Sequence, residues 1–250
     1  MSTVSVRNPY TGQTDYTFTE PSPADLAATA ARLRQNQPAW QALGLTGRLT
    51  VFEEFAQCLR RHEADLIEAL ITDTGRTHVA RSEVAALFGF IDRARLKAPA
   101  ALAPAEPREA QVPGIEGAGN RVPYGLVGNI SPWNFPVVLS FLDTLPALAA
   151  GNAVLLKPSE ITPRWVVPFQ AALAECPQLA AVLEVIVGTG AVGAAVVEQV
   201  DAVVFTGSVE TGHKVARAAA QRFIPACLEL GGKDPALVLP GADIEAAAHI

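Results

Sequence analysis

The chain has 250 residues, 50% of them hydrophobic and 18% charged, with a formal net charge of -6, which excludes fibrous and disordered classes and is enough for one large domain or two small ones. An acidic balance without clustered Lys or Arg argues against sequence-independent binding to nucleic acid or to an anionic membrane. Cys58, Cys176 and Cys227 lie far apart without a CxxC pair, and the histidines are scattered, so neither a disulfide framework nor a metal site is expected. The opening MSTVSVRNPYTG has neither a basic nor an apolar export region, and no apolar run is long enough to span a membrane, so the expected location is cytoplasmic.

In chain order, Ser22 ahead of Pro23 in SPADLAATAARLRQNQPAW predicts an N-cap and a helix. Apolar residues recur at helical spacing through RLTVFEEFAQCLRRHEADLIEALITDTG up to Gly75, and EVAALFGFIDRARLKAPAAL continues the pattern. Residues 103 to 123 are rich in Pro, Gly and charge and predict turns and edge strands, hence a boundary. From Leu126 onward LVGNI, AVLLK, LEVIV, AVVFT, ACLEL and ALVLP alternate with segments long enough to cross over a sheet. That pattern predicts parallel βαβ units in an α/β, doubly wound Rossmann-like sheet preceded by a helical part. Ligands in such sheets collect beyond the carboxyl ends of the strands.

Four unusual stretches fall at those ends. In GNISPWNFPVVLSF, Asn134 stands on a Pro-bracketed turn before a helix starting near Val137, where its amide can donate into the crevice; the alternative is a turn-capping Asn beside a core Trp133. In AVLLKPSEITP, Lys157 and Glu160 suit the two hydroxyls of a ribose, or else form a solvated loop pair. VIVGTGAVGAAVV fits GxGxxG at Gly188, Gly190 and Gly193, and VVFTGSVETGHKVARAAA places Gly207, Ser208 and Gly212 ahead of another helix. Backbone amides at helix N-termini favour phosphate oxygens. In IPACLELGGKDP, Glu229 sits in an apolar run; if buried, its pKa rises and it becomes a general base, and if the strand is an edge, it stands in water.

Together PWNFP, KPSE, FTGS with ETG, and LELGGK resemble the aldehyde dehydrogenase superfamily, from NPYTG to the last residue. The resemblance implies oxidation of an aldehyde to a carboxylic acid through a cysteine thioester, with NAD, or NADP, as cofactor. By that matching Asn134 donates to the oxyanion and Glu229 activates water. The resemblance further implies that Ile130, Pro132, Trp133, Lys157, Ser159, Glu160, Gly190, Gly193, Phe205, Thr206, Gly207, Ser208, Leu230 and Gly231 contact the cofactor. It also implies three regions: residues 1–103 as the helical part of the coenzyme domain, 104–123 as an oligomerisation hairpin, and 124–250 as the Rossmann-like dinucleotide-binding domain. A homodimer or homotetramer is expected in the full-length form.

The family's nucleophile lies downstream of the LELGGK glutamate, beyond Ile250, so this chain reads as a coenzyme-binding half, inactive alone; the rival reading is a non-catalytic dinucleotide-binding or assembly module. Cys227 is read as a small core residue, because a thiol beside Glu229 on one strand cannot face it across a substrate. Leu139, Leu142 and Asp143 share one helix face, which the resemblance places on the aldehyde tunnel. Asp143 has no cation nearby in sequence, so uncharged aldehydes are expected to be favoured over carboxylated ones.

Overall fold

The computed structural model describes residues 2–109, 111–112 and 114–248. The chain opens with an antiparallel hairpin, β1 (Thr3–Arg7) and β2 (Thr14–Thr19), followed by α1 (Pro23–Ala42), α2 (Gly44–Arg61), α3 (Glu63–Thr74) and α4 (Thr77–Leu102). Ser22 caps α1 as its sequence predicts: its hydroxyl accepts from the Asp25 amide while the Asp25 carboxylate accepts from the Ser22 amide. Two-residue strands β3 (Arg108–Glu109) and β4 (Glu116–Gly117) pair within the Pro- and Gly-rich stretch; its positions 110 and 113 lie outside the described residues.

The remainder alternates as expected: β5 (Leu126–Ile130), α5 (Val138–Ala149), β6 (Ala153–Lys157), α6 (Val166–Ala174), α7 (Pro177–Ala180), β7 (Leu183–Val185), α8 (Gly190–Val197), β8 (Ala202–Gly207), α9 (Val209–Gln221), β9 (Ala226–Leu230) and α10 (Ile244–Ala248). One parallel sheet runs in the order β7-β6-β5-β8-β9. Every residue of β5 and β6 is buried, which is why these strands read as unbroken apolar runs rather than alternating ones.

At the other end of the sheet one expectation fails and one pair of alternatives is decided. ALVLP is not a strand: Leu237, Val238 and Leu239 are exposed, and Pro235 and Pro240 remove ladder donors on either side. β9 is consequently the edge, with a mostly exposed pattern, so Glu229 is not a carboxylate buried in an apolar strand. An apolar run of five residues does not by itself distinguish a covered strand from an uncovered one.

The first four helices and the sheet share one hydrophobic core. Phe55 of α2 packs edge-on against Phe169 of α6, and Phe141 of α5 and Trp165 complete the aromatic cluster. Side chains of α1 and α2 take up carbonyls at the end of α5: Trp40 Nε1 donates to Leu148 (2.9 Å), Arg48 Nε to Ala149 (3.0 Å) and Gln37 Nε2 to Gly151 (2.7 Å). Carbonyls at a helix end are short of intrahelical partners, and the Leu148 carbonyl accepts in addition from the Gly151 amide at 2.9 Å. Arg164 ties the N-terminal hairpin to the rest by pairing with both Asp15 and Asp73. No helix among the described residues is long and apolar enough to cross a membrane.

Glu20, just after β2, reaches the turn that opens α8, accepting from the Thr189 amide at 2.6 Å and from the Ser2 hydroxyl. These donors, the Ser2 hydroxyl foremost, hold its carboxyl at about 2, below the ordinary 4.5. A carboxylate whose pKa falls on folding stabilises the protein above its unfolded value and stops doing so as pH falls through the folded one. The melting temperature should therefore exceed that of Glu20→Gln near neutrality, and the gap should close between pH 4.5 and about 2. A gap independent of pH would show that the charge of Glu20 does not hold this turn.

Candidate functional site: two clefts at the strand ends

Strand β5 is the switch point of the sheet, because the chain moves from it to β6 on one side and later returns to β8 on the other. Beyond its carboxyl end lies a cleft of about 510 Å³. Ile130, Pro132 and Trp133 follow β5 into it, Lys157, Ser159 and Glu160 come from the end of β6, Gly190 and Gly193 from α8, and Phe205, Thr206, Gly207 and Ser208 from β8 and its turn. The structure thus brings together twelve of the fourteen residues expected around a cofactor. The other two, Leu230 and Gly231, line an adjoining cleft of about 590 Å³ with Asn134, Leu139, Leu142, Asp143 and Glu229. Pro132, Trp133, Thr206, Gly207 and Ser208 line both.

Within the first cleft, Lys157 is not a solvated loop residue. It is 3% exposed, and its Nζ donates to Glu160 Oε2 at 3.0 Å. Burial pulls its pKa below the usual lysine range, opposed by the carboxylates of Glu160 and Glu20. A β-carbon at Gly190 would meet nothing within 4 Å, so the backbone there is open to an approaching group. A β-carbon at Gly188 would sit 2.5 Å from Val192, so the first glycine of the fingerprint is required by packing against α8 and does not line the cleft. These features fit a dinucleotide: an open glycine turn at the start of a helix for phosphates, and a buried ammonium paired with a carboxylate for ribose hydroxyls.

The Ser208 hydroxyl has a local task. It accepts from the Thr211 amide at 3.2 Å as the N-cap of α9. Lys214, one turn beyond Thr211, lines the same cleft and pairs with Glu210; sequence reasoning missed it.

In the second cleft, Asn134 lies on an exposed tip between Trp133 and Phe135, which are 54% and 39% exposed. This removes the reading of Trp133 as core. Glu229 lines this cleft from the edge strand, at an exposed position rather than a buried one. Asp143, half-buried on α5, has its pKa raised first by desolvation and then by the negative charge of Glu229. No Lys or Arg lines this cleft among the described residues. Cys58 and Cys176 are buried, and Cys227 is exposed on β9 rather than packed in the core; none of the three lines either cleft.

Sequence reasoning also missed Arg76 and Glu83, which hold the loop bearing Asn134 from the side of α4. Their separation from that loop, more than fifty residues along the chain, leaves no local signal.

Known proteins match this architecture along the whole chain. The model of the aldehyde dehydrogenase family matches residues 1–250. The solved structure of PutA from Anabaena variabilis, provisionally named an aldehyde dehydrogenase, shares 47% identity at a TM-score of 0.94 over 99% of this chain and 53% of that one. Betaine aldehyde dehydrogenase from Staphylococcus aureus, solved in complex with NAD+, shares 27% identity at a TM-score of 0.89 over 99% of this chain and 50% of that one. A Mycolicibacterium smegmatis protein, provisionally named an NADP+ succinate-semialdehyde dehydrogenase, is 34% identical over 96% of this chain and 47% of its own length. The chain spans about half the length of these relatives. It belongs to the aldehyde dehydrogenase family.

Proposed function

We propose that these residues form the coenzyme-binding part of an enzyme that oxidises an aldehyde to a carboxylic acid with NAD(P)+. The observation that carries this reading is the wall common to both clefts: the turn after β5 and the end of β8 separate a dinucleotide-sized site from one holding Asn134 and Glu229. Bound there, NAD(P)+ would supply a hydride acceptor. Lys157 and Glu160 would hold the adenosine ribose, the glycine turn of α8 and Ser208 the phosphates, and Thr206 and Leu230 would border the nicotinamide. Asn134 would donate to the developing oxyanion, and Glu229, at the accessible rim, would take a proton from attacking water. The thiolate must come from outside these residues, since Cys58 and Cys176 are buried and Cys227 lies beside Glu229 on β9.

The acidic composition and free cysteines support a cytoplasmic enzyme without nucleic-acid or membrane partners. Regions 1–103 and 124–250 would act as one coenzyme domain, since one core runs through both, with 104–123 as an oligomerisation arm. Exposure of Ile115, Val122 and Tyr124 in and beside that arm supports a homodimer or homotetramer.

In the family-length enzyme, Glu229→Gln should give a rapid burst of NADH and then stall, because hydride transfer precedes the step that needs water. Asn134→Ala should slow the burst itself, by roughly 10²–10³. If both variants only weakened NAD binding, the catalytic assignments would be wrong.

Titration of the 250 residues with both cofactors should show tighter binding of NAD, because the Glu160 carboxylate accepts from a ribose hydroxyl and repels a 2'-phosphate. Tighter NADP binding, as the name of the M. smegmatis relative suggests for that protein, would reverse the assignment.

Two carboxylates and no basic residue line the second cleft among the described residues, so the enzyme should have a higher kcat/KM for neutral than for matched carboxylated aldehydes. The discrimination should weaken in Asp143→Asn, and also at lower pH, where Asp143 takes up a proton earlier than an ordinary aspartate. A ratio insensitive to both changes would remove Asp143 from substrate selection.

A further inference from the structure

The loop that carries Asn134 begins a helix that has no cap of its own. α5 starts after Val137, whose side chain cannot accept a hydrogen bond, so its first amides would be left without partners. The partner comes from another helix. Glu83 of α4 is 2% exposed, and its Oε2 accepts from the Val137 amide at 3.0 Å and the Val138 amide at 3.3 Å. Its charge also suits the positive end of the helix dipole. On the other side of the loop, Arg76 donates from Nη2 to the Asn134 carbonyl, and its guanidinium lies 5.1 Å from the centre of the Phe135 ring.

Arg76 is aimed there by the corner between α3 and α4. Gly75 ends α3 at φ 70°, a left-handed conformation that costs a glycine little, and the next residue is the N-cap of α4. The loop is therefore gripped at residues 134, 135, 137 and 138 by two side chains on one neighbouring helix and its cap. The arrangement is not the most stable available: Glu83 Oε1 is buried without a hydrogen-bond partner, a desolvation cost that a cap at the protein surface would not carry. Burial also pushes the Glu83 carboxyl pKa up, opposed by the two amides and by the charge of Arg76.

We infer that Arg76 and Glu83 are positioning residues, which fix the backbone on both sides of Asn134 and thereby set where its side-chain amide stands in the second cleft. The inference rests on the oxyanion role proposed for Asn134. Because Asn134 is exposed at the tip, its orientation depends on how its backbone is held rather than on packing around its side chain. A donor displaced by an ångström loses most of its effect on a transition state.

The grip itself is tested on the 250 residues by amide hydrogen exchange. In Glu83→Ala the Val137 and Val138 amides should exchange roughly tenfold faster, while Glu83→Gln, which keeps a carbonyl oxygen in place, should retain protection. Unchanged protection in Glu83→Ala overturns the inference. In the family-length enzyme, Arg76→Ala should lower kcat by about 10²-fold without changing KM for NAD, and added guanidinium ion should restore part of the loss. A raised KM with kcat intact overturns it. If Arg76→Ala does not fold, Arg76→Lys serves instead: it keeps the charge but not the planar fork, so kcat should fall while the circular dichroism stays native. A normal NADH burst in Asn134→Ala together with lost protection in Glu83→Ala would leave the grip standing and overturn its catalytic purpose.

Discussion

Everything at the two clefts depends on the complete burial of β5. Its backbone is engaged on one side by β6 and on the other by β8, so no residue from Val127 to Ile130 can shift without breaking ladders on both sides. Its one polar side chain, Asn129, donates to the Ser140 carbonyl at 2.8 Å and the Thr144 hydroxyl at 3.0 Å, which pins α5 against the strand. The turn between strand and helix, with Trp133 and Asn134 at its tip, is thus suspended between two fixed points. β6 and β8 inherit their heights from the same register, which brings Lys157 level with Ile130 and Phe205.

The two clefts differ in charge, and the wall between them carries no charged side chain. On the side of β6 a buried ammonium and an accessible carboxylate neutralise each other. On the side of β9 two carboxylates face one space, and burial first, then the charge of Glu229, makes Asp143 hold its proton more tightly.

Much of this was legible in the sequence because local chemistry signalled it. The Ser22 cap, the glycine turn before α8, and the strand-end positions of Lys157 and Asn134 each follow from a residue type at a fixed offset from a periodic segment. Failures came where burial had to be inferred without knowing the neighbours. ACLEL and AVLLK are both short and largely apolar, yet one is an open edge and the other a central strand. Gly188 satisfied a pattern for a packing reason, and Arg76 and Glu83 gave no sign because their partners are distant along the chain.

The exposed edge has a consequence for Glu229 apart from chemistry. An uncovered strand invites pairing with strands of other molecules, and natural sheets discourage this by placing charge on the edge. Glu229 is the single charged residue of β9, which otherwise shows alanine, cysteine and leucines. In these 250 residues, neutralising Glu229 would remove the one charge on β9 that opposes such edge-to-edge pairing.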